Sequence, residues 1–402
     1  MIDVVGKKCV GCFSCSSVCP NKCISVTVER DGFFYPAINY KKCVKCGLCD
    51  NSCPVLNVVA NSVFKQVAYA AKNNNEEEVK KSSSGGVFIA LANSIIEEGG
   101  VVFGAAYDSN FNVIHNFAQN KETVKNFQGS KYVQSNTENS FTEVRKFLSD
   151  KRKVLFSGTP CQIAGLKAFL GKNYDNLLTI DIACHGVPSP FVFKKYLSFL
   201  KSKFKGEIVK VDFRKKTNGW EDYEFSVDFD SGESFCEHHE NNLMMQAFLK
   251  NYCLRESCYN CKFKGLNRNS DITLCDFWGI KENFPDLYEQ DGVSLVLLNS
   301  EKGFNELLRL KNKVKFNEVD LNNAIKNNPA LIKSAYRPIG RDVFIKLIKK
   351  NEFDKAIKTV EKKTPRLTRI KVYKEDVYNT KNSSGLVRAM LFAIKHFWKA
   401  YF

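Results

Sequence analysis

Eight of the sixteen cysteines fall into two copies of one spacing: Cys9, Cys12, Cys15 and Cys19 ahead of Pro20, then Cys43, Cys46, Cys49 and Cys53 ahead of Pro54. Three thiolates two residues apart can wrap a short loop around three iron corners of a 4Fe-4S cube. The fourth, beside a proline that turns the chain, reaches across to the other cube. On that rule Cys9, Cys12, Cys15 and Cys53 hold one cluster, and Cys43, Cys46, Cys49 and Cys19 hold the second. Zinc is the alternative for CxxC pairs, but it needs four ligands per site and no crossed, proline-terminated doublet. Cys23 fits neither set and reads as a buried structural thiol.

A chain of 402 residues with 44% hydrophobic side chains is long enough for several cores. Many thiols and no charged-then-apolar leader predict a reducing, cytoplasmic setting in which cysteine serves metals. No apolar run is long enough to span a bilayer. The net charge is +17, and residues 341–402 alone hold sixteen Lys or Arg against six Asp or Glu. Such an end suits an acidic protein or the inner face of a membrane, or is a solvated surface. Nucleic acid is excluded as a partner, since basic residues are not interleaved with aromatic ones and no reader module is present.

The pattern predicts an α/β (α+β) multidomain fold. Residues 1–58 form a two-cluster ferredoxin-type module. A body follows in two parts, 65–150 and 151–300, and a helical basic extension covers 301–402. Within the body, Gln66–Ala71, Val101–Tyr107, Lys153–Gly158 and Leu177–Ile182 read as strands. Ser83-Ser84-Gly85-Gly86 is a turn entering a helix that Gly99-Gly100 closes, and Thr159-Pro160 reads as N-cap and first helical residue of the next. Val211–Arg214 and Tyr223–Phe229 predict an antiparallel meander, and Leu386–Phe402 an amphipathic helix.

Four further thiols lie far from the doublet. Cys161 and Cys184 each follow a strand end, and Cys258 with Cys261 forms a CxxC loop ahead of Asp271. Strand ends and a loop converge at one edge of an α/β sheet, where such folds place sites. These residues alone leave a third 4Fe-4S cluster open beside zinc, a redox-active pair and buried thiols.

The segments Ser83–Phe88, Gly129–Gln134, Phe156–Leu166, Cys184–Pro190 and Asp271–Gly279 resemble the coenzyme F-420 hydrogenase/dehydrogenase beta-subunit family, in the bacterial form fused to a ferredoxin domain. The resemblance covers about residues 1–300. It implies FAD, a third cluster on Cys161, Cys184, Cys258 and Cys261, and electron exchange with a carrier (ferredoxin or F-420) or a reducible substrate. One departure is Cys275, where glycine is expected, a thiol that crowds the site or adds a ligand.

For FAD, a glycine-rich helix entry offers backbone N–H groups to phosphate, which nominates Ser83, Ser84, Gly85 and Gly86. Gly129, Ser130 and Lys131 form a second wall, and Thr159 joins the cofactor-binding set. His185 is the candidate catalytic group, as donor to cluster sulfur or proton relay. His238 and His239 read as a solvated loop. Arg255, Arg268 and Asp271 bracket the CxxC loop, to orient it or as ordinary ion pairs. The expected activity is that of an iron-sulfur flavoenzyme, an oxidoreductase; the alternative is a non-catalytic electron-transfer subunit docking on a separate enzyme, in cell-surface polysaccharide synthesis.

Overall fold

The computed structural model describes residues 2–57 and 64–363. The expected helix Leu386–Phe402 lies outside them. The chain forms a mixed α/β body with a small cysteine-rich module docked on it.

Thirteen strands are described: β1 Ile24–Val28, β2 Phe34–Ile38, β3 Val67–Asn73, β4 Val101–Tyr107, β5 Val113–Ala118, β6 Val154–Gly158, β7 Leu177–Ile182, β8 Ile208–Lys215, β9 Glu224–Phe229, β10 Ser234–His238, β11 Ile272–Asp276, β12 Ser294–Leu298 and β13 Val314–Val319. The body is one eight-stranded sheet in the order β13-β3-β12-β11-β7-β6-β4-β5. Neighbours β11, β7, β6 and β4 run parallel, and β5, β12, β3 and β13 join antiparallel. Two antiparallel steps separate β3 from β11, so both point the same way. The C-terminal ends of five strands and the start of β12 therefore share one edge.

Apolar runs in the central strands explain their burial on both faces. Val102, Leu155 and Leu178 pack under the helices Val87–Glu97 and Glu301–Leu308. Val101, Phe103, Val154, Phe156 and Leu177 pack under Ser140–Ser149 and Pro160–Leu170. The predicted meander is present as the three-stranded sheet β10-β9-β8. It shares an aromatic core with the helices Pro190–Lys201, Leu243–Leu249, Arg341–Lys349 and Phe353–Lys363.

The region beyond Asn299, expected to be helical, also supplies β13, paired with β3 from Val314↔Asn73 to Val319↔Ala68. Its polar outer positions suit a sheet edge and mask the strand pattern. The helices after it close the aromatic core through Phe344, Ile348, Phe353 and Val360, so this segment is part of the body.

The module consists of the β1–β2 hairpin and two short helical turns, Ser14–Val18 and Leu48–Asn51. Polar groups pin it to the body: Gln134 Nε2 donates to Val10 O at 3.3 Å, Thr137 Oγ1 to Cys12 O at 3.0 Å, and Ser189 Oγ to Asp31 O at 2.6 Å. The buried Arg341 pairs with Asp31 at 3.0 Å. At Gly165, inside Pro160–Leu170, a Cβ would stand 2.7 Å from Cys12 Cβ and 2.8 Å from its Sγ. Glycine there costs helix propensity but lets the first thiol loop lie flat on the helix.

Gly165→Ala decides between these effects. An ordinary helical site would gain up to about 1 kcal/mol; here overpacking against Cys12 is expected to cost about 1–3 kcal/mol, read as a lower denaturant midpoint.

Candidate functional site

Twelve thiols gather around three voids. Cys9, Cys12, Cys15 and Cys53 line the first. Cys19, Cys43, Cys46 and Cys49 line the second, and Cys161, Cys184, Cys258 and Cys261 the third. The doublet is thus crossed, each run sending its last cysteine to the other's ring.

Cys23 departs from its expected role. It is buried, yet its Sγ lies 3.3 Å from Cys19 Sγ and lines the second void, and its N–H donates to the same sulfur at 3.4 Å. The turn at Pro20 folds Cys23 back over Cys19. Cys275 also departs from expectation: it sits in the apolar cluster of Phe277, Leu295 and Trp220 and does not line the third void.

The third ring comes from three parts of the sheet edge. Cys161 follows β6 at the start of Pro160–Leu170, Cys184 follows β7, and Cys258 and Cys261 sit on and just past the 3-10 turn Glu256–Asn260. Burial pushes the Cys161 thiol well up, Cys184 to about 11 and Cys258 to about 12. These thiols are protonated when nothing binds them, so metal must displace protons.

Three cations line the same void: Arg255, Lys264 and Arg268. Lys264 Nζ donates to Cys184 O and, at 2.6 Å, to Ala330 O. Arg268 donates to Ile182 O at 3.1 Å and Phe263 O at 3.3 Å, and lies 3.4 Å from Asp181, itself held above the usual carboxylate range by burial. Arg255 is 0% exposed and donates to Cys9 O at 2.8 Å, Phe34 O at 2.9 Å and Gln134 Oε1 at 2.9 Å. Asp271 turns away from the thiols, accepting from Thr179 N–H at 2.8 Å, Thr179 Oγ1 at 2.6 Å and Ser300 Oγ at 2.7 Å. Two buried arginines and a half-buried lysine beside four thiols suit an occupant whose thiolate complex is anionic.

The rings fit a polynuclear centre better than zinc. Tetrahedral zinc at about 2.3 Å from each sulfur puts sulfurs about 3.8 Å apart. Among the described residues, no three thiol sulfurs lie mutually within 4.8 Å. The sulfurs surround spaces and do not close on a point.

His185 borders the third void and is half-buried. Its Nε2 donates to Asn251 Oδ1 at 2.6 Å, Phe248 meets its ring edge-on at 5.1 Å, and burial lowers its pKa, so it is neutral at pH 7. Phe248 in turn stacks on Tyr132 at 4.7 Å.

Tyr132 leads to the second half of the edge. Ser83 Oγ and Ser130 Oγ are 2.7 Å apart, joining the two predicted cofactor loops. Ser84 Oγ donates to Val293 O at 2.8 Å, and the Gly85 N–H to Ser294 Oγ at 3.0 Å, so these two residues anchor the loop to β12. Gly86, at φ +73, caps Val87–Glu97 with no side-chain acceptor, leaving that helix end to other partners. Thr159 instead meets the third ring: its Oγ1 lies 3.2 Å from Cys161 Sγ, and its N–H donates to Gln162 Oε1 at 2.9 Å.

Two lysines are desolvated here. Lys131 Nζ donates to Gln128 O at 3.0 Å and Gly129 O at 3.3 Å, and burial lowers it to about 8, against the pull of Asp212. Lys216, which the sequence does not single out, donates to Val79 O, Ser84 O and Asp291 O at 2.9, 2.8 and 2.6 Å and is also lowered to about 8 by burial. Elsewhere, His238 and His239 are less solvated than expected: Asp222 Oδ1 accepts from His238 at 2.5 Å, and His239 stacks on Tyr223 at 4.3 Å.

Thiol rings in a small two-run module, next to a third at the edge of an α/β sheet, define an iron-sulfur electron-transfer protein. Residues 8–57 match the family described as 4Fe-4S dicluster domain, and residues 151–323 match the family described as the C terminus of the coenzyme F420 hydrogenase/dehydrogenase beta subunit. The chain thus joins a region similar to 4Fe-4S dicluster domains to one similar to the C terminus of the coenzyme F420 hydrogenase/dehydrogenase beta subunit. A chain of the F420-reducing NiFe hydrogenase complex from Methanosarcina barkeri is similar in structure, at 20% identity and TM-score 0.45, over 76% of this chain and 95% of that one. No curated protein matches the chain at a significant level. Among the described residues no helix is long and apolar enough to cross a membrane.

Lys131 gives a pH test. Its folded pKa of about 8 lies below the unfolded value of about 10.4, so the unfolded chain binds more protons between them. Stability gains from this group as pH rises from 8 to 10. Lys131→Met should flatten that slope by up to about 1.4 kcal/mol per pH unit, seen by denaturant titration at pH 8, 9 and 10.

Proposed function

We propose that the protein is an oxidoreductase that conducts electrons between its dicluster module and FAD at the sheet edge by way of a third 4Fe-4S cluster. The convergence of Cys161, Cys184, Cys258 and Cys261 beside the module carries this reading: Val10 borders both the first and the third void. When bound, the clusters pass single electrons and a flavin gathers them in pairs for a carrier such as F-420 or ferredoxin, or for a substrate.

The chain's own residues then have distinct tasks. Cys9, Cys12, Cys15 and Cys53, then Cys43, Cys46, Cys49 and Cys19, and finally the third ring supply thiolates. Arg255, Lys264 and Arg268 offset their charge, while Thr159 and His185 border the third ring. His185, neutral and fixed at Nε2 by Asn251, keeps Nδ1 to accept a proton. For the flavin phosphates, the open end of Val87–Glu97 offers N–H groups, Ser83, Ser130 and Gly129 form the flanking loop, and Lys131 and Lys216 supply charge. Ser84 and Gly85 hold that loop on β12.

Anaerobic purification with iron and flavin quantification tests the scheme. About twelve irons per chain are expected, falling to about eight in Cys161→Ser and in Cys258→Ser. Eight in all three proteins would remove the third cluster. Stoichiometric FAD is expected in each, and its absence would remove the flavin independently.

A further inference from the structure

The two doublet voids face different surroundings. Around the first, Cys12, Cys15 and Cys53 are buried, and Cys12 rests on Gly165 of the body. Around the second, Cys46 is exposed, and it alone of the eight doublet thiols. The loop carrying it, Tyr40-Lys41-Lys42-Cys43-Val44-Lys45-Cys46-Gly47-Leu48, has three lysines and no acid. Lys41, Lys42 and Lys45 are all exposed, and among the described residues no ion pair is recorded for them. Asn21 Nδ2 donates to Lys42 O at 3.3 Å, which brings the exposed Lys22 to the same rim.

Apolar side chains stand exposed between these charges. Val44 is 66% exposed, Leu48 41% and Tyr40 54%. Single exposed apolar residues are ordinary, but here Val44 and Leu48 line the same void as the exposed Cys46. The acids nearby are Asp3, which accepts from Tyr40 Oη at 2.7 Å, and Asp50, 3.9 Å from Cys49 Sγ. Lysines therefore dominate the rim.

We propose that this face is the docking surface for a small acidic one-electron carrier protein, whose carboxylates meet Lys22, Lys41, Lys42 and Lys45 and whose redox centre comes to rest over Val44, Cys46 and Leu48. The proposal rests on the electron-conducting reading above and names the partner of its outer end. Transient electron-transfer complexes bury little area and take their rate from charge steering. A lysine rim around a small apolar contact is suited to a partner that must both arrive quickly and leave. The contact adds no covalent step: Cys19, Cys43, Cys46 and Cys49 would hold the cluster that is reduced by one electron as the carrier is oxidised by one.

Stopped-flow reduction of the full reconstituted chain by a reduced acidic two-cluster ferredoxin is the test, comparing wild type with Lys41→Glu/Lys42→Glu. The second-order rate should fall at least about tenfold at low ionic strength, and the gap should close as salt rises toward about 0.5 M. Lys41→Gln/Lys42→Gln, which removes charge without reversing it, should fall between. Full reduction by excess dithionite must give the same paramagnetic signal in every variant, which shows the centres intact. Missing signal in the wild type overturns the conducting reading. Intact signal with unchanged rates and salt slope overturns this docking face alone. Salt-sensitive loss of binding to phosphatidylserine vesicles, with unchanged carrier rates, assigns the rim to lipid and overturns the proposal likewise.

Discussion

The arrangement of the three thiol rings depends on one buried side chain. Arg255 directly follows Leu254 of the aromatic core and commits its guanidinium to Cys9 O, Phe34 O and Gln134 Oε1. Its plane also lies 4.2 Å from the Tyr35 ring. A fully buried guanidinium is costly unless its donors are met, and most of these acceptors belong to the module. The module cannot leave without stranding the charge. Because Arg255 also borders the third void and precedes Cys258 by three residues, the contact that seats the module also fixes the CxxC loop. A lysine would deliver the charge but not the three-way fork.

The third ring extends the same economy. Burial favours the protonated form of Cys161, Cys184 and Cys258, while a bound metal needs them as thiolates. Lys264 and Arg268 reach their carbonyl partners from the loop after the CxxC, and the Arg268–Asp181 pair ties that loop to β7. Positive charge is thus built into the walls before any ligand arrives. The cost is visible at Asp181, whose carboxyl is raised by burial even with Arg268 beside it.

Much of this is legible in the sequence because ligation imposes spacing along the chain: C-x2-C-x2-C-x3-C-P is a local constraint, so the crossed doublet follows from residue order. The third ring is half legible. Strand ends place Cys161 and Cys184 on one edge, but the approach of Cys258 from a segment some seventy residues later depends on tertiary packing. Arg255 stands out as bracketing the CxxC loop, yet nothing in the sequence says that its reach crosses to residues 9 and 34. Cys23 misleads for a related reason: a thiol outside a run looks structural until the turn at Pro20 folds it back. Edge strand β13 escapes because V-K-F-N-E-V has the polar outer face that an edge demands, which resembles solvated chain.

At the other half of the edge the second sheet matters more than its distance in sequence suggests. Arg214, at the end of β8, is buried against Asp276 at the end of β11 and lies 4.5 Å from the Tyr223 ring, so the meander closes down on the strand ends. Closure removes water from Lys131 and Lys216, and both lysines lose part of their hold on a proton as a result. Lys131, Lys216 and Arg214 stand there with Asp212, Asp276 and Asp291, so charges of both signs are desolvated together. Proteins retain such desolvated cations where something negative offsets them. The carbonyls that hold the two lysines are dipoles and meet part of that need. The depressed basicity of both lysines thus follows from the same closure that seats the meander on the strand ends.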